Sequence, residues 1–142
     1  MVKHLLAGVD GSEGSRKAAG FALELADQTS SRVTLLFVLE LPRIIPLGAL
    51  DSFIEIRGTD EEHLQAGYRM LEDIGQRFPA DRIQRVVELG RAADTLCSQA
   101  EKLGADMIVL GAHGHGRVGH LRLGSVSDRV VHQATRPVAV VR

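Results

Sequence analysis

The hydrophobic positions of the chain fall into two alternating patterns. Apolar residues that recur at helical spacing predict α-helices, and the clearest is Glu13–Thr29, for which Ser12 is the expected N-cap. Short apolar runs, bounded by glycine, proline or small polar residues, predict β-strands between the helices. These runs are His4–Val9, Arg32–Leu39, Arg82–Leu89, Asp106–Leu110 and Pro137–Val141. The alternation predicts an α/β fold with a parallel sheet.

The remaining helical stripes follow the same reasoning. A stripe from Asp60 carries Leu64, Tyr68, Leu71, Ile74 and Phe78 and is expected to end at Pro79. Two more stripes span residues 92–103 and 123–134. The segment 40–59 is apolar but is interrupted by prolines and glycines, so we expect an insert that forms a loop with a short helix and covers the body or meets a partner.

The order of these elements predicts a single domain over residues 1–142. We expect an open five-stranded parallel sheet with helices on both faces, doubly wound and Rossmann-like. Ligands of such sheets bind beyond the carboxyl ends of the strands, where the strand order reverses. The loops expected to meet there are Val9–Ser12 and Gly111–Gly124.

The second of these loops, which we call the glycine loop (residues 111–124), has the composition of an anion site. It follows an apolar strand, is rich in glycine and leads into a helix at Ser125. Glycines let the backbone approach a ligand, and the N–H groups of a helix N-terminus bind phosphate. Ser125, Ser127, Arg117 and Arg122 add hydroxyls and positive charge. From the glycine content alone, a flexible loop before a well-capped helix remains an alternative.

Composition excludes several classes of function. With 17 basic and 18 acidic residues, the net charge of −1 argues against a nucleic-acid partner held by bulk charge. No apolar run is long enough for a membrane span, so no membrane insertion is expected. Cys97 is the single cysteine, which rules out an internal disulfide and fits a reducing compartment. We therefore expect a cytoplasmic protein.

The spacing of Gly111, Gly114 and Gly124-Ser125 matches the nucleotide-binding signature of the universal stress protein family, which the chain resembles over nearly its whole length. The first strand with its Val9–Ser12 end, the turn at Gly90 and the closing Arg136–Val141 are also similar to that family.

The resemblance implies an adenine nucleotide alpha hydrolase-like fold and membership of the branch that binds ATP with Mg²⁺ or Mn²⁺. Asp10 should face the ribose or the metal-bound phosphates, and it is the one expected metal contact. Val38 should contact adenine through its backbone, near Gly90. The full set of expected ATP contacts is Gly8, Val9, Asp10, Val38, Gly90, Leu110, Gly111, His113, Gly114, Gly124, Ser125, Val126 and Ser127.

The chain departs from the family pattern at two positions. Ala112 stands where many members have serine or threonine, and Ala92 stands where proline is frequent. A zinc site of His113, His115 and His120 is a weak interpretation, because a glycine-rich loop without cysteine or carboxylate does not fix a tetrahedral set of ligands.

The function implied is that of an ATP-binding, nucleotide-dependent switch in a stress response, with the insert 40–59 as the moving part. Whether the protein is an enzyme stays open. It is at most a slow ATPase or self-phosphorylating protein, because no P-loop or kinase signature is present and no residue type nominates a base. The alternative is a nucleotide-independent structural or interaction module of the same fold.

The last strand predicts an oligomer. Residues 137–141 are apolar, and an exposed apolar edge strand favours pairing with a second copy. We expect a homodimer through this strand, an arrangement that the family resemblance also implies. A tetramer through the insert stays open, and the regulatory partner cannot be read from the sequence.

Overall fold

The computed structural model describes residues 1–40, 56–114 and 122–142. The described chain forms one sheet with two layers of helices. In chain order the elements are β1 (His4–Gly8), α1 (Glu13–Thr29), β2 (Arg32–Leu39), α2 (Ile56–Glu72), β3 (Ile83–Leu89), α3 (Ala92–Lys102), β4 (Met107–Gly111), α4 (Ser125–Gln133) and β5 (Val138–Val141). The predicted α/β architecture is confirmed.

The five strands are parallel and lie in the order β3-β2-β1-β4-β5. The chain first adds strands on one side of β1 and then crosses to the other side with β4. The strand order therefore reverses between β1 and β4, where Leu5 is paired with Met107. The loops after these two strands meet at the carboxyl edge of the sheet, as the topology rule predicts.

One pair of helices packs against each face of the sheet. Helices α1 and α2 cover the face that carries Leu5 and Leu35, and a row of alanines lets α1 lie close to the strands. Helices α3 and α4 cover the opposite face, where Leu6, Leu36 and Ile108 are buried. The near-continuous apolar sequence of β1 follows from this, because both of its faces are covered.

Helix α2 differs most from its prediction. It begins at Ile56, inside the predicted insert, and ends at Glu72, before Ile74 and Phe78 of the predicted stripe. Gly75 has a φ of 70°, and the Arg85 side chain donates from Nε to the carbonyl of Leu71 (2.8 Å) and from Nη2 to that of Ile74 (2.6 Å). Arg85 thus donates hydrogen bonds to carbonyls that would accept backbone N–H groups if the helix continued.

The other boundaries lie close to their predicted positions, and α1 and β2 coincide with them. Ser12 is the N-cap of α1, as expected. Residues 41–55 of the predicted insert lie outside the described residues, so its expected short helix and its role as a moving part stay predictions. No helix in the described ranges is long and apolar enough to cross a membrane.

Candidate functional site

A cavity of about 450 Å³ opens at the carboxyl edge of the sheet, at the point where the strand order reverses. Its volume lies within the range of small-molecule sites in proteins. The ends of β1, β2 and β4, the start of α1, the start of α3 and the start of α4 form its walls. The lining residues are Gly8, Val9, Asp10, Ser12, Ser15, Leu36, Phe37, Val38, Leu39, Glu40, Ala92, Leu96, Leu110, Gly111, His113, Gly114, Gly124, Ser125, Val126 and Ser127.

The structure brings all but one of the predicted nucleotide contacts together around this cavity. Gly90 is the exception, because it does not line the cavity. Its N–H donates to the carbonyl of Leu39 (3.1 Å), and Leu39 is the residue of this pair that lines the wall. A Cβ on Gly90 would lie 2.6 Å from Oγ1 of Thr95, and its φ is 152°. Position 90 therefore requires glycine for the shape of the turn between β3 and α3.

Asp10 is tied to the first turn of α1 by a short network. Its Oδ1 accepts from the N–H of Ser12 (2.9 Å) and from the Oγ–H of Ser12 (2.5 Å). Its own N–H donates to Oγ of Ser15 (3.1 Å). Ser15 is buried, and its hydroxyl donates to the carbonyl of Ser12 (3.0 Å). This network fixes the carboxylate of Asp10 at the cavity, just after the carboxyl end of β1.

Two signature glycines have different roles. A Cβ on Gly111 would lie 2.6 Å from the carbonyl carbon of Gly14, and a Cβ on Gly14 would lie 2.7 Å from the carbonyl oxygen of His113. Gly111 therefore permits α1 to pack on the end of β4. A Cβ on Gly114 would instead lie 2.9 Å from Oδ2 of Asp10, so Gly114 keeps open the space beside the carboxylate.

The start of α4 contributes backbone N–H groups to the wall. Its N-cap is Gly124, which makes no side-chain cap bond. Ser125 is exposed toward the cavity as the first helical residue. Ser127 is buried, and its hydroxyl donates to the carbonyls of Ala112 (2.9 Å) and Gly124 (3.0 Å). That bond holds the glycine loop against α4 and leaves the Ser127 proton unavailable to a phosphate.

The charges on the described wall are negative. Asp10 and Glu40 are the carboxylates, and no lysine or arginine lines the described part of the cavity. Arg122 is exposed and does not line the cavity, while Arg117 lies outside the described residues. Asp10 offers the hard carboxylate oxygen that Mg²⁺ prefers, so the wall fits a metal–phosphate ligand.

His113 lies on the cavity wall, and its Nδ1 is buried without a hydrogen-bond partner among the described residues. Leaving a buried polar atom unsatisfied costs about 1–3 kcal/mol. The orphaned nitrogen therefore fits a site that is completed by a ligand. His115 and His120 lie outside the described residues, and no group of three metal-ligating side chains is found in the part of the chain that the structure describes.

The departures from the family pattern have little effect on the wall. Ala112 is buried and does not line the cavity, so the missing hydroxyl takes nothing from it. Ala92 does line it, and its N–H donates to Oε1 of Glu40 (2.9 Å). A proline would have no N–H for this bond. Glu40 was missed by the sequence reasoning because its partner lies 52 residues away.

Known proteins similar to this chain belong to the family whose nucleotide-binding signature the glycine spacing matches. The family model for the universal stress protein family matches residues 1–142. The chain belongs to the universal stress protein family. It is 33% identical over 143 residues to a universal stress protein of Mycolicibacterium smegmatis, covering 97% of the chain but only 45% of that relative. It is 29% identical to the universal stress protein MJ0531 of Methanocaldococcus jannaschii, covering 100% of the chain and 83% of the relative.

Solved structures share the fold. The hypothetical protein MJ0577 superposes with a TM-score of 0.84 at 24% identity, covering 99% of this chain and 96% of that one. A universal stress protein solved in complex with cAMP has a TM-score of 0.71 at 19% identity, covering 99% and 97%. One from Archaeoglobus fulgidus solved with dAMP has a TM-score of 0.61 at 20% identity, covering 100% and 98%. Some proteins of this fold thus bind adenine nucleotides.

Proposed function

We propose that this universal stress protein binds ATP, with Mg²⁺ or Mn²⁺, in the cavity at the switch point and acts as a nucleotide-dependent regulatory switch in a stress response. The observation that supports this most is the convergence of Asp10, His113 and Gly114 with the N-terminus of α4 around one cavity. Two structural neighbours solved with cAMP and dAMP make an adenine nucleotide the first ligand to test.

Each part of the ligand has a matching part of the wall. The apolar side near Val38 and Leu96 suits a base. The N–H groups of Gly114 and of the first turn of α4 suit phosphates. Asp10 would hold the cation that accompanies the phosphates, and that cation would supply the positive charge that the described wall lacks. Whether the bound nucleotide is slowly hydrolysed is a question for measurement.

A switch requires that the bound and free states differ in their contacts. The glycine loop is suited to this, because it contacts both α1 and α4. Gly124 donates to the carbonyl of Ala112 (2.7 Å), and Ser127 donates to the same carbonyl. A ligand that pulls on His113 or Gly114 would therefore act on the start of α4. Limited proteolysis with and without ATP should show different protection, and identical cleavage would count against the switch.

The first experiment identifies the ligand. The protein is purified without added nucleotide and denatured, and the released molecules are identified by chromatography and mass spectrometry. We expect ATP from the wild type and none from Gly114→Val, whose side chain would occupy the space beside Oδ2 of Asp10. Gly20→Ala is the matched control, because a Cβ there meets no described residue within 4 Å. Release of ADP would indicate slow turnover. A wild type that is empty and also fails to bind added ATP would favour the interaction module.

We also propose that two copies pair through β5. This strand is the edge of the sheet, and Val138–Val141 are half-buried. The carbonyls of Pro137 and Val141 accept hydrogen bonds from Ile108 and Ala112, so by alternation the N–H of Val140 points away from β4. Val140→Pro should therefore convert a dimer to a monomer without weakening the sheet. A wild type that is monomeric at micromolar concentration by light scattering would contradict the proposal.

A further inference from the structure

Glu40 places a carboxylate on the wall of the cavity, just after the end of β2. Its Oε1 accepts the N–H of Ala92, the first residue of α3, at 2.9 Å. Arg91 is the N-cap of α3 and makes no side-chain cap bond, so Glu40 supplies the acceptor from another element. The free N–H groups and the dipole at the start of a helix favour negative charge, so they stabilise the carboxylate at this place.

This carboxylate lies beside the apolar part of the wall that suits a base. Val38 lies on the side of the sheet that α3 covers, because it packs against the cluster that contains Leu96. Glu40 follows two residues later and lies on the same side, because it bonds to Ala92. Ala92 and Leu96 are one turn apart on α3, about 6 Å along its axis. A base between Val38 and Leu96 therefore presents one edge to Glu40.

The chemistry of a carboxylate determines what that edge must carry. An ionised carboxylate accepts hydrogen bonds and donates none. Oε1 of Glu40 is bonded to Ala92, and no other hydrogen bond or ion pair of Glu40 is found among the described residues. Oε2 can therefore accept from a ligand. An amino group on the base would satisfy it, whereas a C–H at the same position would leave the charged oxygen without a partner.

We propose that Glu40 is a specificity-determining residue, which selects a purine with a 6-amino group by accepting a hydrogen bond from that group at Oε2. This inference rests on the proposed nucleotide site. Ala92 is the positioning partner, because its N–H fixes Oε1 and so limits the directions that Oε2 can take. A proline at position 92 would have no N–H for this purpose. The selection thus depends on the pair of Glu40 and Ala92 rather than on the carboxylate alone.

The test compares two triphosphates that differ by one group. Purine riboside triphosphate is identical to ATP except that hydrogen replaces the 6-amino group. The dissociation constant of each is measured with Mg²⁺ by equilibrium dialysis against the whole protein. We expect the wild type to bind ATP roughly 10-fold more tightly than the analogue, because the analogue lacks one hydrogen bond to a charged group.

Glu40→Gln tests the carboxylate at nearly constant side-chain size. Glutamine has one carbonyl oxygen, and when this oxygen accepts the N–H of Ala92 its amide nitrogen faces the ligand. An amide nitrogen donates and cannot accept from an amino group, so the ratio of the two dissociation constants should fall to about 1. Glu24→Gln is the matched control, since Glu24 is exposed on α1 and does not line the cavity. It should keep the wild-type ratio.

Ala92→Pro tests the positioning partner. The substitution removes the N–H that holds Glu40, so the ratio should fall here as well. Proline is favourable at the first position of a helix, and Arg91 already has the extended backbone that precedes a proline, with a φ of −88° and a ψ of 129°. The variant should therefore fold.

The ratio separates selection from folding, because general damage to the site weakens the binding of both triphosphates alike. A wild type that binds neither triphosphate overturns the proposed nucleotide site and this inference with it. A wild type that binds both equally, or a Glu40→Gln variant that keeps the wild-type ratio, overturns only the role of Glu40. An unchanged ratio in Ala92→Pro overturns the positioning role of Ala92.

Discussion

The two ends of the sheet each carry a cavity, and the two cavities are built differently. The one at the carboxyl edge has a volume of about 450 Å³ and includes Gly8, Gly111, Gly114 and Gly124 in its wall. The one at the amino edge has a volume of about 210 Å³ and no glycine among its described lining residues. Glycine brings backbone N–H groups to the surface of a cavity, so of these two cavities the one at the carboxyl edge combines volume with a backbone wall suited to phosphate.

Polar side chains at the amino edge connect distant parts of the chain. The carboxylate of Asp106 accepts the N–H groups of Lys3 (2.8 Å) and His4 (3.0 Å), and Nε2 of His4 is 2.8 Å from Oγ1 of Thr34. At the carboxyl edge Asp10 has bonds to its near neighbours Ser12 and Ser15, which shape the loop after β1. Long-range bonds also occur at this edge, because Ser127 donates to the carbonyl of Ala112 and Glu40 accepts the N–H of Ala92.

The largest effect that would test this contrast is Gly111→Ala. The new Cβ would meet backbone atoms of Gly14 at 2.6 and 2.7 Å, and backbone cannot move aside as a side chain can. We expect a loss of about 3 kcal/mol in the free energy of unfolding, at the upper end for overpacked sites. Urea denaturation measures it. Gly114→Ala, which meets only the end of the Asp10 side chain, should lower nucleotide affinity at little cost in stability.

An intermediate effect is expected at the amino edge from Thr34→Val. The substitution keeps the shape but removes the partner of Nε2 of His4, and both residues are buried. A buried group left unsatisfied costs about 1–3 kcal/mol, so the free energy of unfolding measured by urea denaturation should fall by that amount. Nucleotide affinity should stay at the wild-type value. A matching loss of affinity would show that the two ends are coupled.

The smallest effect is a pH dependence that originates at the amino edge. Burial of His4, followed by the nearby Arg32, lowers the pKa of its imidazole below 6.5, although Leu103 and Asp106 oppose this. The unfolded chain therefore takes up a proton more readily than the folded chain. Stability should be complete above the unfolded pKa and should decline as the pH falls from about 6.5 toward the lowered value. His4→Gln should reduce this slope in denaturation curves, and an unchanged slope would exclude His4.

Most of the fold could be predicted from the sequence because the strongest patterns are local. The apolar run Arg32–Leu39 and the alanine-rich stripe of α1 fix their elements without help from other parts of the chain. The glycine spacing of the loop after β4 likewise predicted that Gly111, Gly114 and Gly124 lie together at the cavity. The assignment of ATP to that wall stays a prediction.

What the sequence did not reveal depends on partners far along the chain. The chain at the end of α2 is held by Arg85, which lies on β3 and donates to the carbonyls of Leu71 and Ile74. The proton of Ser127 is taken by Ala112, 15 residues earlier. The hydrogen bond from Ser12 to Asp10 was missed for a different reason, since Asp10 is near in sequence but only the turn geometry brings its carboxylate to the hydroxyl.

The contact between Gly14 and Gly111 has a consequence for how this fold could diversify. It sets the spacing between the first turn of α1 and the end of β4, and both elements contribute residues to the wall of the cavity. The absence of a side chain at Gly14 and Gly111 therefore sets how far apart these two parts of the wall lie. A related chain with a larger residue at either position would hold its walls farther apart and would select a ligand of another size, even with every ligand-contacting side chain unchanged.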